Sequence, residues 1–169
     1  MKKIFHTYAV YNQWQNEKML SYCDGLTDQE RKKDLGAFFK SIHGTLNHIL
    51  LSDRAWMGRF KNEPVQVGYM SQGLFEDYED LKKERAKTDQ AIIHWVETLT
   101  EETLRKDFTY TSAVDTITRT LPYWSCALHF FNHQTHHRGQ ITTLMKQLGL
   151  DPGIMDIPWT PGLAIIKGE

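Results

Sequence analysis

Two histidines spaced four residues apart are the side chains of this sequence whose types and spacing could do chemistry. His133 and His137 fall in a helical pattern, and residues i and i+4 of a helix share one face. Both imidazoles can therefore reach the same ion, and imidazole is the commonest metal ligand in proteins. The alternative is a pair of core histidines satisfied by hydrogen bonds. His136 falls off this face, and His129 and Gln140 lie on its edge.

A third protein ligand is needed for a catalytic type of zinc site, and the spacing leaves its identity open. His48 lies away from the centre of the apolar stripe of its helix, nearer to Thr45 and Ser52. His43 and His94 are no better placed, and a solvated surface histidine is the alternative for all three. The residues alone do not choose among them.

Apolar residues at helical spacing predict the elements that must position these side chains. We predict four helices, at 4–23, 35–61, 75–99 and 122–148. The segment 107–120 alternates polar with apolar residues and is rich in β-formers, which predicts a hairpin that turns near 113–115. The whole chain, 1–169, is then a single all-α domain: a four-helix bundle with one long crossover carrying a small β-hairpin.

The C-terminal tail carries three prolines and is predicted to be irregular, with Trp159 and Leu163 holding it against the bundle. Cys23 and Cys126 lie far apart on apolar stripes, which indicates buried free thiols and a reducing cytoplasm. No apolar run is long enough for a signal peptide or a membrane span. A net charge of −1 with short basic runs argues against nucleic acid as a partner.

Two charged residues fall on apolar stripes, where an unpaired charge would be costly to bury. Asp53 lies on the stripe of the second predicted helix, and Arg85 lies on that of the third. We predict an ion pair between them, or a network that also includes Asp89. The alternatives are a rotated helix with a solvated charge, or an Arg85 that reaches the metal pocket and binds an anionic substrate.

The fourth predicted helix has a second uncharged face, opposite its histidines. This face comprises Trp124, Leu128, Phe131, Thr135, Gly139 and Thr142. Because a bundle helix normally turns one face inward, the second face predicts a homodimer. The alternative is that the hairpin or the tail covers it within one chain.

Several motifs resemble those of the DinB/YfiT-like family of bacterial metal-binding bundles. The strongest is NHQTHHRGQI at 132–141, and LNHIL at 46–50 is similar to the family's second-helix motif. The remaining matches are DRxW at 53–56, YNxWxN at 11–16, Arg85 with Asp89, and FxY at 108–110 leading to TRT at 118–120. These motifs cover nearly the whole chain in the family's order. The hairpin departs from the usual pattern, because SAVD at 112–115 stands where such turns often use glycine.

The resemblance implies a divalent metal ion held by His48, His133 and His137. It implies no ligand role for His136, His129 or Asp53. We expect Asp53, Arg85, His129 and Gln140 to lie behind the ligands or around the pocket. One ion per chain is expected, with zinc as the first choice and nickel or another transition metal as alternatives.

Three protein ligands would leave a coordination position open, which favours chemistry or ligand binding over a purely structural site. Relatives of this fold, by resemblance, include enzymes that use low-molecular-weight thiols. The leading hypothesis is therefore a metal-dependent transferase or hydrolase that activates a thiolate or a hydroxide. The alternative is a stress-related metal or small-ligand binding protein without turnover. The sequence contains no GxSxG or CxxC motif and no carboxylate pair at the histidines. The family's DNA-damage name alone suggests nucleic acid, and the basic face is missing.

Overall fold

Four long helices form the frame of the computed structural model, which describes residues 1–63 and 75–163. The elements in chain order are α1 Lys2–Cys23, α2 Asp28–Lys32, α3 Ile42–Phe60, α4 Tyr78–Thr98, α5 Glu101–Arg105, β1 Asp107–Thr111, β2 Thr118–Pro122, α6 Tyr123–Gln147, and a 3-10 turn at Ile157–Trp159. The predicted all-α bundle with its small hairpin is confirmed. Helices α1, α3, α4 and α6 correspond to the four predicted helices. Within the described ranges, no helix combines the length and apolarity needed to cross a membrane.

Helix α3 begins at Ile42, seven residues later than predicted. Ser41 caps it, since its hydroxyl accepts a hydrogen bond from the backbone N–H of Gly44 at 3.0 Å. Lys40 before it has a φ of 66°, which a helix does not allow. The residues preceding the cap form a turn that places Phe39 beside α3. The prediction placed the start of this helix too early because the spacing between Phe39 and Ile42 matches that of a helix.

The hairpin forms without glycine in its turn. Strands β1 and β2 pair antiparallel, with Phe108 opposite Leu121 and Tyr110 opposite Arg119. Thr116 takes the left-handed backbone conformation, at a φ of 57°. The carboxylate of Asp115 accepts hydrogen bonds from the backbone N–H of Ile117 at 3.2 Å and from the Arg119 guanidinium at 2.9 Å. The hydrogen bonds of Asp115 therefore stabilise a turn in which a threonine, rather than a glycine, takes the left-handed conformation.

A buried layer of polar side chains separates two apolar clusters of the bundle. One cluster includes Trp95 and Phe130, and the other includes Met19 and Ile141. The polar layer consists of Asn12, Asn16, Asp53, Arg85, Asp89, Gln134 and Arg138, all of them buried. Each of the four long helices contributes to it.

Hydrogen bonds connect the polar layer across the bundle. The Arg85 guanidinium donates to Asp53, and to Asp89 at 2.8 Å. Asn16 donates to the same Asp89 carboxylate at 2.9 Å. The predicted ion pair, with Asp89 in its network, is confirmed. Since Arg85 is buried and holds two carboxylates, the alternative that it binds an anionic substrate is wrong.

Phe131 belongs to the core, and its assignment to an outer face is wrong. Its side chain is 1% exposed, and its ring stacks against Tyr8 of α1 at 5.6 Å between centroids. Helix α6 packs against α1 as well as α3, so it buries residues on two sides. Trp124 and Leu128 remain exposed at 40% and 39%.

The tail is irregular, as predicted, but its anchor is different. Trp159 is 56% exposed, so the prediction that it holds the tail on the bundle is wrong. Leu163 is partly buried. The Met155 carbonyl instead accepts hydrogen bonds from Tyr11 at 2.8 Å and from Gln15 at 2.9 Å. Backbone polar groups rather than an indole ring therefore fix this segment.

The two cysteines lie in the core as free thiols. Cys23 and Cys126 are both buried and unpaired. They belong to different apolar clusters, which agrees with the prediction of two structural thiols. Burial raises the pKa of Cys23 to about 12, so this thiol stays protonated at neutral pH.

Candidate metal centre

Three imidazoles from two helices converge at the middle of the bundle. His48 comes from α3, and His133 and His137 come from successive turns of α6. The Nε2 atom of His48 lies 3.4 Å from that of His133 and 3.1 Å from that of His137. The Nε2 atoms of His133 and His137 are also 3.1 Å apart. The three nitrogens thus form a compact triangle with which one ion could bond.

The orientation of His137 is fixed from behind by Gln140. The Nδ1 atom of His137 lies 2.8 Å from the amide oxygen of Gln140. Because that oxygen can only accept, the ring carries its proton on Nδ1 and keeps a lone pair on Nε2. Gln140 thus lies behind His137, on the side away from the other two imidazoles' Nε2 atoms.

Phe39 holds the ring of His48. The two rings stack with centroids 3.9 Å apart and an angle of 18° between their planes. Phe39 also meets His137 edge-on at 5.6 Å. The Nδ1 atom of His48 is buried and has no hydrogen-bond partner among residues 1–63 and 75–163. One apolar ring therefore shields two of the three imidazoles from water.

The site keeps its histidines neutral. Burial, together with the neighbouring imidazoles, lowers the pKa of His48 to about 4 and that of His133 to about 3. Burial also lowers the pKa of His137, while the hydrogen bond to Gln140 acts in the opposite direction. At pH 7 the lone pairs of these nitrogens are therefore available for a metal ion.

The other histidines lie outside this triangle. His43 is buried, and its Nε2 atom lies 2.8 Å from the carbonyl of Phe75, so it is a core histidine rather than a solvated one. His94 is exposed beside Glu97. His136 is exposed and does not join the three converging nitrogens, although its ring meets that of His137 edge-on at 4.8 Å between centroids. His129 lies next to His133 along α6, with their ring centroids 5.9 Å apart.

Asp53 and Arg85 lie behind the site, in the polar layer. The Asp53 carboxylate accepts a hydrogen bond from the Gln134 amide at 2.6 Å, and Gln134 is the residue after His133. In the same way, Arg138 follows His137 and donates to Asn12. Gln134 and Arg138 were not singled out from the sequence. The sequence pattern that could have indicated them is a polar residue directly after each of the two inward histidines.

A cavity of about 260 Å³ opens beside His133. Helix α3, the hairpin turn and α6 form its walls. Its lining comprises Leu51, Ser52, Ala55, Trp56, Arg59, Tyr110, Ser112, Ala113, Val114, His129 and His133. His129 belongs to this lining, and its ring lies 5.2 Å from that of Trp56.

Comparison with known proteins places this fold in a family. A family model described as the DinB family matches residues 1–168. The chain belongs to the DinB family. It is 24% identical to Protein DinB of Bacillus subtilis (strain 168) over 148 residues, which is 82% of this chain and 83% of that protein. It is also 43% identical to YrdA of the same organism over 49 residues, 28% of this chain and 29% of that protein.

A solved structure has the same DinB-like fold. The crystal structure of a DinB-like protein from Bacillus cereus ATCC 10987 superposes with a TM-score of 0.63. The match covers 83% of this chain and 90% of that one, at 20% sequence identity. At this level of sequence identity, the superposition supports the fold of the bundle and carries no information about the residues at the site.

The donor set of this DinB-family chain fits a transition-metal ion. Metal–imidazole bonds of about 2.0–2.1 Å at tetrahedral angles place ligand nitrogens about 3.3 Å apart. The observed Nε2 separations run from 3.1 to 3.4 Å. His48, His133 and His137 form a group that could hold a metal ion. Imidazole nitrogens suit zinc, nickel, copper and iron, so the donors alone do not select one.

Proposed function

We propose that this DinB-family protein binds one divalent transition-metal ion through His48, His133 and His137, with zinc as the first choice. The convergence of three neutral imidazole nitrogens within 3.4 Å carries this proposal. Without an ion, three polar nitrogens would face one another in a largely buried space. Zinc suits the site because it has no preferred geometry of its own.

We further propose that the site serves a metal-dependent transferase or hydrolase. A bound divalent ion with an open position lowers the pKa of a thiol or a water molecule and polarises a carbonyl. The protein's own residues shape the surroundings: Phe39 excludes water on one side, and the cavity beside His133 offers space for a small molecule. Burial and the charge of Arg59 lower the pKa of His129, so this wall residue is neutral at pH 7 and can accept a proton.

A second candidate function, binding without turnover, is favoured by the composition of the cavity. Its lining contains no cysteine and no carboxylate. Both thiols of the chain lie in the core, away from this lining. The described lining therefore offers no thiol or carboxylate nucleophile. A stress-related metal or small-ligand binding protein would need none.

The reducing cytoplasm is the compartment that we propose for this protein. Cys23 and Cys126 are free thiols in the described structure, and both are packed in apolar surroundings. Such thiols need no oxidising compartment.

Metal analysis of tag-free protein tests the metal proposal. Wild-type protein should hold about one ion per chain. His48→Ala, His133→Ala and His137→Ala should each lose most of the bound metal, a loss of roughly a hundredfold or more in affinity, and keep the helical circular dichroism spectrum. His136→Ala is the matched control on the same helix and should retain it. The proposal is wrong if His136→Ala removes the metal while His137→Ala does not.

Turnover assays on the same samples separate the two candidate functions. A metal-dependent enzyme should convert model electrophiles in the presence of a low-molecular-weight thiol, or hydrolyse activated esters. The His133→Ala variant should abolish that activity. Metal-loaded protein without measurable turnover across such a panel would favour the binding protein.

A further inference from the structure

Arg59 is a cation in the cavity wall without an anionic partner. Its guanidinium lies 4.9 Å from the centroid of the Trp56 ring and 5.6 Å from that of Tyr110. Among residues 1–63 and 75–163 it makes no ion pair, and no side-chain hydrogen bond of Arg59 is found there. Two neighbouring arginines have anionic partners: Arg54 donates to Glu84 at 2.5 Å, and the buried Arg85 holds two aspartates. Arg59 differs from both, because its donors have no side-chain acceptor within the described ranges.

Burial makes this lack of a partner costly. Arg59 is only partly exposed, and desolvation lowers the pKa of its guanidinium. Arginine nevertheless stays protonated in proteins and offers five donors in a planar fork. A partly desolvated cation with free donors is stabilised when a complementary anion arrives. The rings of Trp56 and Tyr110 lie within cation–π distance of the guanidinium, and neither ring offers an anion to pair with it.

The remaining residues of the cavity indicate which chemical groups, besides an anion, a ligand would carry. Leu51, Ala55, Trp56 and Val114 supply apolar walls, and His133 lies in the same lining as Arg59. A ligand that bridges these groups would carry an anionic end and an apolar or aromatic body. No acidic side chain of the lining competes for the guanidinium.

We propose that Arg59 binds the carboxylate of a small apolar or aromatic acid whose body fills the cavity beside His133. A carboxylate matches the guanidinium fork with two parallel hydrogen bonds. One guanidinium balances a single negative charge, whereas a phosphate monoester carries nearly two. This assignment rests on the proposed function and deepens it, because it names the substrate class of the same site. Arg59 would act as the specificity-determining residue.

Binding of 3-phenylpropanoate and of its neutral amide, 3-phenylpropanamide, tests the assignment. Both are titrated into metal-free protein, where the open metal position cannot bind the carboxylate, and are followed by the NMR shifts of the Trp56 indole and the Val114 methyls. Arg59→Gln should weaken acid binding roughly tenfold or more and leave amide binding unchanged. Arg59→Lys keeps the charge and should retain part of the affinity.

Arg54→Gln is the matched control, since it removes a guanidinium from the same helix outside this cavity. Glu84 then still pairs with Lys87, at 2.5 Å. This variant should bind the acid as the wild type does. Acid binding that is insensitive to Arg59→Gln would overturn the assignment, as would wild-type protein that binds neither compound. Tighter binding of phenyl phosphate than of the acid would overturn the substrate class.

Zinc content of a separately loaded sample distinguishes this failure from failure of the proposed function. Protein that binds no zinc but shows acid binding dependent on Arg59 would reject the metal site and support the anion site. Protein that binds zinc but shows no dependence on Arg59 would do the reverse.

Discussion

Protons should compete weakly with metal at the three histidines, because burial keeps their pKa values low. The pKa of His48 is about 4 and that of His133 about 3, so both rings stay neutral well below the ordinary value near 6.5. Three ordinary histidines would lose about a thousandfold in zinc affinity between pH 7.5 and 5.5. We expect less than about a tenfold loss here.

Isothermal titration with zinc at several pH values measures this change. The sign follows from the lowered pKa values: affinity falls less steeply through pH 6.5 than three ordinary histidines would give, and His48 is lost as a ligand as pH approaches 4. A steep decline centred on pH 6.5 would show that the imidazoles are solvated in the metal-free protein.

The ligands illustrate what spacing can and cannot predict at the scale of single residues. His133 and His137 were singled out because they lie one turn apart on the face of α6 that carries Phe130 and Ile141. His48 was not, because α3 is buried around most of its circumference, polar positions such as Asn47 and Ser52 included. Where every side of a helix is covered, periodicity cannot tell which side faces a ligand. Only the family resemblance supplied His48.

At the scale of the elements, the start of α3 controls how Phe39 meets the site. Gly44 lies in the first turn of this helix, and a Cβ there would overlap the backbone carbonyl of Phe39. Gly44→Ala should therefore displace the turn that carries Phe39. We expect a loss of roughly 2–4 kcal/mol in the free energy of unfolding, measured by urea denaturation, together with weaker zinc binding.

Gly139 provides the matched control for this substitution. It lies on the exposed side of α6, and a Cβ there would meet no atom within 4 Å. Gly139→Ala should raise the free energy of unfolding by about 0.5–1 kcal/mol, because alanine favours a helix more than glycine does. Equal effects at both positions would contradict the role given to the turn before α3.

The long helices were predictable from periodicity, but the short helices required local chemistry. Helix α2 begins with a capping box between Thr27 and Glu30, a pattern that is visible in the sequence. Helix α5 follows Thr100, whose hydroxyl caps the N–H of Thr103. Neither helix is long enough to show an apolar stripe. Caps, rather than hydrophobic periodicity, carry the signal for such elements.

For the whole molecule, the polar layer is costly to break. Arg85→Met would leave the carboxylates of Asp53 and Asp89 buried without their cation. Loss of one member of a buried ion pair typically costs 3–5 kcal/mol, so we expect a decrease of about that size in the free energy of unfolding. Urea denaturation measures it. Arg119→Gln removes an exposed ion pair with Asp115 and should have a much smaller effect, because solvent screens that pair.

The homodimer also concerns the whole molecule, and it remains a prediction. Trp124 and Leu128 lie one turn apart on α6 and are 40% and 39% exposed, so they offer an apolar surface to a second copy. Leu128→Glu should convert a dimer to a monomer in light scattering across a dilution series. A monomeric wild type at every concentration would contradict the prediction.

Phe131→Glu cannot serve as the probe of that interface. The ring of Phe131 is enclosed by Phe5, Tyr8 and Trp95, so a charge there should unfold the bundle. A helical wheel assigns Phe131 to the side opposite the histidines, but it contains no information about how many neighbours a helix has. Burial on two sides of α6 comes from α1, which only tertiary packing reveals.

The polar layer also sets a condition on how the chain can assemble. Asp53, Arg85 and Gln134 come from three different helices. They are in contact only when α3, α4 and α6 have the correct alignment along the bundle axis. Sliding α4 by a single turn, about 5.4 Å, would bring Leu81 or Asp89 opposite Asp53 in place of Arg85. Apolar packing alone would tolerate such a slip, since leucine fits against leucine at many heights. A bundle that closes in the wrong alignment therefore buries unpaired charges, which makes it less stable than the native alignment.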